Sequence, residues 1–432
     1  MPAAVPPPNI EDIFGGRCLG KVRFIMVSVA IMGHGVVGSG VAEILLTHKQ
    51  KLFSNLGEEI YIKKVLDLRE FPDSPIADRF TKDFEEIIND LEIRVVVEVM
   101  GGLKPAYDFV KRCLKAGKSV VTSNKELVAA HGAELLAIAN EENVNFMFEA
   151  SVGGGIPIIR PMNQCLVANN VSEVAGILNG TTNFILTKMI EDGMQFEDAL
   201  RLAQDLGFAE RNPAADIEGH DACRKICILA SLAYGKHVYP ESVHTEGITD
   251  ITLEDVNLAE AFGYVIKLIG RVKKLSDGKI DIITAPMLVP FKSQLSNIDN
   301  EFNGIMVRGD CTGDVVFYGK GAGKLPTASA VVADIVDCCK HMKQRRFQFW
   351  ADGDGSNIID WRDSVSAMFV RVTGSDAAAK AEQLFGEINT VADGSVLAFI
   401  TSELSYREFE TKLQALEEAG VEVLSHIRIG DI

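Results

Sequence analysis

The sequence predicts an α/β chain in three parts: a half built on a parallel sheet, a second half built on a mostly antiparallel sheet, and a small C-terminal unit. Three observations carry this reading. An apolar run from Val27 to Met32 leads straight into Gly33-His34-Gly35-Val36-Val37-Gly38 and then an amphipathic stretch, which is strand, glycine loop, helix. Strand-like runs separated by DGK and RGD turns crowd the region after Tyr264. Beyond Val365 strand and helix patterns alternate to the end of the chain.

In the glycine loop, Gly33 permits the tight turn, Gly35 lets backbone approach a pyrophosphate, and Gly38 lets helix and strand pack closely. The helix start at Val36 and Val37 then faces the phosphates, so the first half reads as a Rossmann-type dinucleotide-binding domain. The second strand, Ile60 to Leu66, ends at Asp67, which suits a ribose and NAD; Arg69, two residues on, suits a 2′-phosphate, and the choice between NAD and NADP stays open. A third strand, Val95 to Val99, ends in Met100-Gly101-Gly102, where small residues again let a cofactor come close, and Pro105 opens a helix. Ser119 to Ser123 is another strand, and Lys125 follows at its carboxyl end, the edge where open parallel sheets bind ligands.

The run from Glu149 through Gly153-Gly154-Gly155 to Pro157 leaves main-chain carbonyls uncovered beside a carboxylate; it reads as an oxygen cage for a hard cation or as a hinge. Val171 to Asn179 is a strand, and Gly180-Thr181-Thr182-Asn183 should cap the next helix, with hydroxyls that could also bind a carboxylate. A helix ends at Leu206 and Gly207, a polar loop carries Glu210, and a further helix is expected from near Asp216. In it Asp221 and Lys225 stand four apart on one face, with Ile226, Leu229, Ala230 and Ala233 as the buried stripe. Such a pair is ordinarily solvated; in a dry site it would hold an ammonium group and move a proton. Gly319 to Gly323 is a second glycine loop, with Gly321 and Gly323 before a helix through Val331, Ile335 and Val336.

Composition bounds the rest. With 432 residues, 47% of them apolar, the chain can bury more than one core. A net charge of -17 argues against nucleic acid and anionic membrane as partners. No apolar run approaches the roughly 18 residues of a membrane span, and residues 1–25 lack the pattern of a secretory signal. They read as a disordered, Pro-rich extension, with Met26 as the hypothesised native start; an N-terminal mass showing Met1 or Pro2 would rule that out. The eight cysteines form no CxxC pair, as expected of reduced thiols in a cytoplasmic protein.

The run Ala203, Gly207-Phe208-Ala209, Asn212-Pro213, Asp216-Ile217, Gly219, Asp221, Lys225 resembles the signature of the homoserine dehydrogenases, as do TSNK at 122–125, ILNGTTN at 177–183 and the GxGAGxxPTA segment ending at Ala328. The resemblance covers nearly the whole chain. It implies NAD(P)-dependent interconversion of homoserine and aspartate 4-semialdehyde, with Lys225 and Lys125 handling the proton and Asp221 orienting them. Glu210, Asp216, Gly180, Thr181 and Lys125 would bind substrate. The cofactor would contact Gly33, Gly35, Val36, Val37, Gly38, Asp67, Arg69, Met100, Gly101, Gly102, Ser123, Lys125, Gly321 and Gly323. The resemblance further implies a structural Na+ held by Glu149 and the carbonyls of Val152, Gly154 and Ile156, and a homodimer or homotetramer formed through the second sheet.

The expected division is 26–150 for the nucleotide-binding domain, completed by 319–350, then 151–318 for substrate and dimer contacts, a linker at 351–365, and 366–432. That tail, with two helices among three strands, resembles an ACT-like ferredoxin-fold regulatory domain of the kind relatives use to sense threonine. Here Thr373-Gly374-Ser375-Asp376 replaces the usual Asp-x-Pro-Gly turn, so effector binding and assembly both stand as its role. Two other readings compete: an aldehyde dehydrogenase acting through a thiol, for which Cys223 is the candidate, and an amino-acid sensor without activity, which would not need both lysines.

Overall fold

The computed structural model describes residues 26–346 and 348–432, so the extension expected at 1–25 lies outside the described residues. β1 (Met26–Met32), β2 (Glu59–Leu66), β3 (Phe80–Thr81), β4 (Ile93–Glu98), β5 (Ser119–Thr122) and β6 (Phe146–Met147) form one sheet in the order β3-β2-β1-β4-β5-β6. Every neighbouring pair is parallel. The short strands β3 and β6 and the helix Lys49–Leu56 were not legible in the sequence.

The strands are apolar on both faces because both are covered. Val29, Ile31, Val95, Val97 and Val121 pack with the helices Val36–Thr47 and Lys324–Lys340, whereas Ala30, Met32, Val96 and Val120 pack with Ala106–Lys115 and Lys125–Glu141. The helix after the second glycine loop therefore does return to this sheet, and Gly40 lets it approach: a Cβ there would lie 3.0 Å from the Ala328 Cβ. Strand order reverses between β1 and β4, which opens a crevice at their carboxyl ends.

The second sheet contains β7 (Val171–Ile177), β8 (His244–Thr245), β9 (Tyr264–Lys274), β10 (Ile280–Pro290), β11 (Phe302–Gly309) and β12 (Gly313–Lys320). Its order is β12-β11-β7-β9-β10, antiparallel throughout, with β8 added in parallel to β10. The tail comprises β13 (Val365–Ser366), β14 (Met368–Thr373), helix Ala377–Phe385, β15 (Asn389–Asp393), β16 (Val396–Ile400), β17 (Leu404–Ser405), helix Tyr406–Glu418 and β18 (Glu422–Ile429). Its four main strands run β18-β14-β16-β15, and the strand β15 corrects the expected count of three.

The tail sheet is not separate: β18 pairs in parallel with β10, Met287 opposite Arg428 and Leu288 opposite Ile429, so both belong to one ten-stranded sheet. The polar stretch expected as a linker is also docked. Ala351 bridges to Lys236 and Ile358 to Ile280, while the Trp350 indole donates to His237 Nδ1 at 2.8 Å. Among the described residues no helix is long and apolar enough to cross a membrane.

Candidate active site

The glycine loop at the end of β1 has the shape its spacing demands. Gly33 has φ +99, and a Cβ on it would lie 2.9 Å from the Val99 carbonyl oxygen. A Cβ at Gly38 would lie 2.0 Å from Gly33 O, so the helix can sit this close only on glycine. At Gly35 a Cβ would meet nothing within 4 Å: the chain leaves room there that a phosphate can use. Val36 beside it is 67% exposed, whereas Val37 packs inward. Asp67 pins the loop by accepting from the His34 amide at 2.8 Å. The Arg69 guanidinium grips the same carboxylate through Nε at 3.0 Å and Nη2 at 2.8 Å, and that grip holds the Asp67 carboxyl well below its ordinary range.

Sequence reasoning missed Glu98. Fully buried at the end of β4, it accepts from the amides of Met100 (2.8 Å) and Gly101 (3.3 Å) through Oε1, and from the Thr122 hydroxyl (2.6 Å) through Oε2. Burial pushes its carboxyl up from the ordinary value, against those donors. Thr122 Oγ1 accepts from the Asn124 amide at 2.9 Å, and Asn124 Nδ2 donates to Gly102 O at 2.7 Å. Asn124 also caps the helix Lys125–Glu141 by accepting from Leu127 N. One buried network thus fixes the loop Met100-Gly101-Gly102 and the helix start that carries Lys125. The available signal was an acidic residue inside an otherwise apolar strand, which must find donors. Ser123 stands between the two, its amide 3.4 Å from Glu98 O.

From Lys125 the network crosses to the second half. Lys125 Nζ pairs with Asp221 Oδ1, and Lys225 Nζ donates to Asp221 Oδ2 at 2.7 Å and to Leu178 O at 2.7 Å. Asp221 and Lys225 are buried, at 3% and 7% exposure, so the solvated surface pair expected by default is not what forms. Burial works against the Asp221 charge, yet the two lysines outweigh it and hold the carboxyl low. Burial pushes the Lys225 amine down, and the neighbouring Lys125 adds to this, against Asp221. For half-buried Lys125 burial is overruled by Asp221, and its ammonium is held up.

Asn179 joins a second carboxylate to the cluster, donating through Nδ2 to Asp221 Oδ2 at 2.9 Å and to Asp216 Oδ1 at 2.7 Å. Burial, and then the Asp221 charge, push the Asp216 carboxyl up. Asp216 does not lie on the Asp221 helix, as the sequence suggested: it belongs to a separate turn, Ala214–Ile217, that breaks at Gly219 (φ +84) before the helix His220–Tyr234.

The cap of the helix Gly180–Asp192 is also corrected. Asn179 Oδ1 accepts from Thr182 N, and the Thr181 hydroxyl donates to Phe208 O at 2.6 Å, so neither Thr181 nor Gly180 supplies the cap. Glu210 stands exposed on its loop, and its carboxylate makes no hydrogen bond or ion pair among the described residues.

The Gly-rich segment at the end of β6 is clamped against the second glycine loop: a Cβ on Gly154 would lie 2.2 Å from Gly321 O, and one on Gly321 would lie 2.1 Å from Asn303 Nδ2. Gly323 (φ +115) leads into the helix Lys324–Lys340. The carboxylate of Glu149 does not face outward from this segment. It accepts from the amides of Ile158 (2.6 Å), Ile159 (2.8 Å) and Arg160 (2.8 Å), which leaves main-chain oxygens as the donors a cation could use. Those of Val152, Gly154 and Ile156 accept no hydrogen bond among the described residues.

A glycine turn between strand and helix with open space at Gly35, a switch point beside it, and a buried amine joined through Asp221 to the lysine that starts a helix at the same sheet edge define a dinucleotide-dependent oxidoreductase. Two family models match the chain: "Homoserine dehydrogenase, NAD binding domain" over residues 33–149 and "Homoserine dehydrogenase" over residues 157–336. A homoserine dehydrogenase of Bacillus subtilis is 43% identical over 321 residues, covering 73% of this chain and 74% of the relative. The crystal structure of a homoserine dehydrogenase from Thiobacillus denitrificans has a TM-score of 0.87 at 34% identity, covering 94% of this chain and 98% of that one. A hyperthermophilic archaeal homoserine dehydrogenase in complex with NADPH has a TM-score of 0.62 at 28% identity, covering 73% of this chain and 98% of that one. The chain belongs to the homoserine dehydrogenase family of NAD(P)-dependent oxidoreductases. The tail lies beyond both matched ranges.

Proposed function

We propose that Lys225 is the proton-handling group in the interconversion of L-homoserine and L-aspartate 4-semialdehyde, and that Asp221 and Lys125 hold it ready. Oxidation of the alcohol removes a proton from oxygen and a hydride from carbon; NAD(P), when bound, takes the hydride. The observation that carries the reading is the burial of the Lys225 amine between Asp221 and Leu178 O, which brings its neutral form within reach and, with two N–H groups donated there, leaves its lone pair to accept the proton of the substrate hydroxyl. Asp216 and Glu210, which form no ion pair among the described residues, take the substrate ammonium. The first-turn amides of Gly180 and Thr181 take its carboxylate. The test is to follow nicotinamide absorbance with homoserine and each cofactor; turnover requiring homoserine supports the reading, and none with either cofactor overturns it.

The finer parts of this reading rest on the same residues. Asp67 and Arg69 set the choice between NAD and NADP. The carbonyls of Val152, Gly154 and Ile156, with that of Glu149, hold a structural Na+. The division at 150 and 318 separates a nucleotide-binding from a substrate-binding domain, the latter carrying the contacts of a homodimer or homotetramer. The tail is an ACT-like unit; its βαββαβ order supports this, and rates with and without threonine decide between sensing and assembly.

A further inference from the structure

A cavity of about 350 Å³ lies at the far end of the helix that carries Asp221 and Lys225. It is lined where the start of β7, the end of that helix, the β9–β10 turn and the stretch before β13 come together, and among the described residues no carboxylate is in its walls. Lys236 and Lys274 both line it, and neither forms an ion pair among the described residues. Two buried polar atoms of residues on the same walls, Tyr234 Oη and Asn357 Oδ1, have no hydrogen-bond partner among the described residues. In a chain of net charge -17 two exposed lysines thus line the same cavity as two unsatisfied polar groups, and the latter call for a partner.

We propose that this cavity binds a small oxyanion, a phosphate monoester or a carboxylate, between Lys236 and Lys274. The ammonium groups supply the charge. Tyr234 donates its hydroxyl to an anion oxygen, and the Asn357 side-chain oxygen accepts from a hydroxyl or amino group on the same ligand. Of the carboxylates around the cavity, Glu173 is neutralised by Arg271 and Arg308, each at 2.6 Å. Asp310 and Asp354 keep their charge while accepting from the Asn170 side chain and the Ser356 hydroxyl, each at 2.6 Å, and Asp354 feels the Lys236 charge without forming an ion pair with it, so a ligand anion must compete with that one carboxylate. The helix end at Tyr234 contributes about half a negative charge, which two full positive charges outweigh.

Two of the elements that reach the cavity also reach the catalytic cluster. Tyr234 lies nine residues beyond Lys225 on one helix, roughly 14 Å at 1.5 Å per residue. The strand that starts at Val171 leads to Leu178, whose carbonyl accepts from Lys225. Asn357 belongs to the docked stretch before the tail, so an anion here would join the catalytic helix to that stretch.

The test is calorimetric titration of the full chain, saturated with NAD(P)H so that the dinucleotide crevice is filled, with inorganic phosphate, glycerol phosphate and succinate at matched ionic strength in chloride. Saturable binding that falls about tenfold or more in the double variant Lys236→Ala/Lys274→Ala, and is weakened in Tyr234→Phe, is expected. Preference for glycerol phosphate assigns a phosphate monoester and preference for succinate a carboxylate; either supports the site. The lysines are exposed, so the double variant keeps its fold and its basal turnover. No saturable binding of any of the three anions, or binding unchanged in the double variant, overturns the proposal.

Discussion

Replacing Asp221 by Asn probes how the cluster works. The carboxylate is 3% exposed and sits between Lys225 and Lys125, with Asn179 donating to it as well. Asn keeps the shape and one acceptor oxygen but removes the charge that lies between the two ammonium groups, leaving Asp216 as a carboxylate that still acts on both. Breaking a buried pair by removing one partner costs about 3–5 kcal/mol. Because Lys125 can turn toward solvent, the lower end, about 3 kcal/mol, applies. Without the carboxylate Lys225 is drawn further toward its neutral form and loses its orientation, so kcat should fall by about 10²-fold. Initial rates of homoserine oxidation, with a thermal melt of the same protein, read both effects. A variant with kcat within about twofold of the parent and an unshifted melt would refute the reasoning.

Three further outcomes are expected. Arg69→Ala should lower kcat/KM with NADPH by about tenfold while leaving NADH nearly unchanged, because the guanidinium on Asp67 is the group able to meet a 2′-phosphate; equal losses with both cofactors would count against it. Glu98→Gln should raise KM for the cofactor more than it lowers kcat, since an amide nitrogen would then face the amide or hydroxyl donors that hold the Met100 loop, whereas an unchanged KM would show that the loop needs no anion. Glu246 ties the second sheet to the tail through Arg428 at 2.6 Å. Burial opposes its charge, but His244 and Arg428 bring its carboxyl down to about 2 from 4.5. With the folded value below the unfolded one, that tie is complete above about pH 4.5 and lost as pH falls toward 2. Tail amides followed by hydrogen exchange should open over this range in the parent, and already be open above it in Arg428→Ala.

Local patterns were legible wherever one element settled them. The glycine spacing at 33–38, the C-terminal glycine at 207 and the four-residue spacing of Asp221 and Lys225 each express a constraint within one turn, and the structure keeps all three. What depends on distant partners was not legible. The pairing of β18 with β10 spans two folding units, and no period in either strand encodes it. β15 (NTVAD) is a polar edge strand, so it lacks the apolar alternation that marks its neighbours. Glu149 was recognisable as a charge near a glycine run, but its use as an acceptor for three amides depends on how residues 158–160 fold back. Asn179 was hidden at the end of a strand, although it both caps a helix and joins Asp216 to Asp221.

The most direct test of the account compares two quantities for Lys225→Ala: the turnover rate with saturating homoserine and cofactor, and the dissociation constant for NAD(P)H from nicotinamide fluorescence. The account predicts a fall in kcat of about 10²-fold or more with cofactor affinity retained. Turnover close to that of the parent would contradict it, because the site would then be moving its proton without the buried amine.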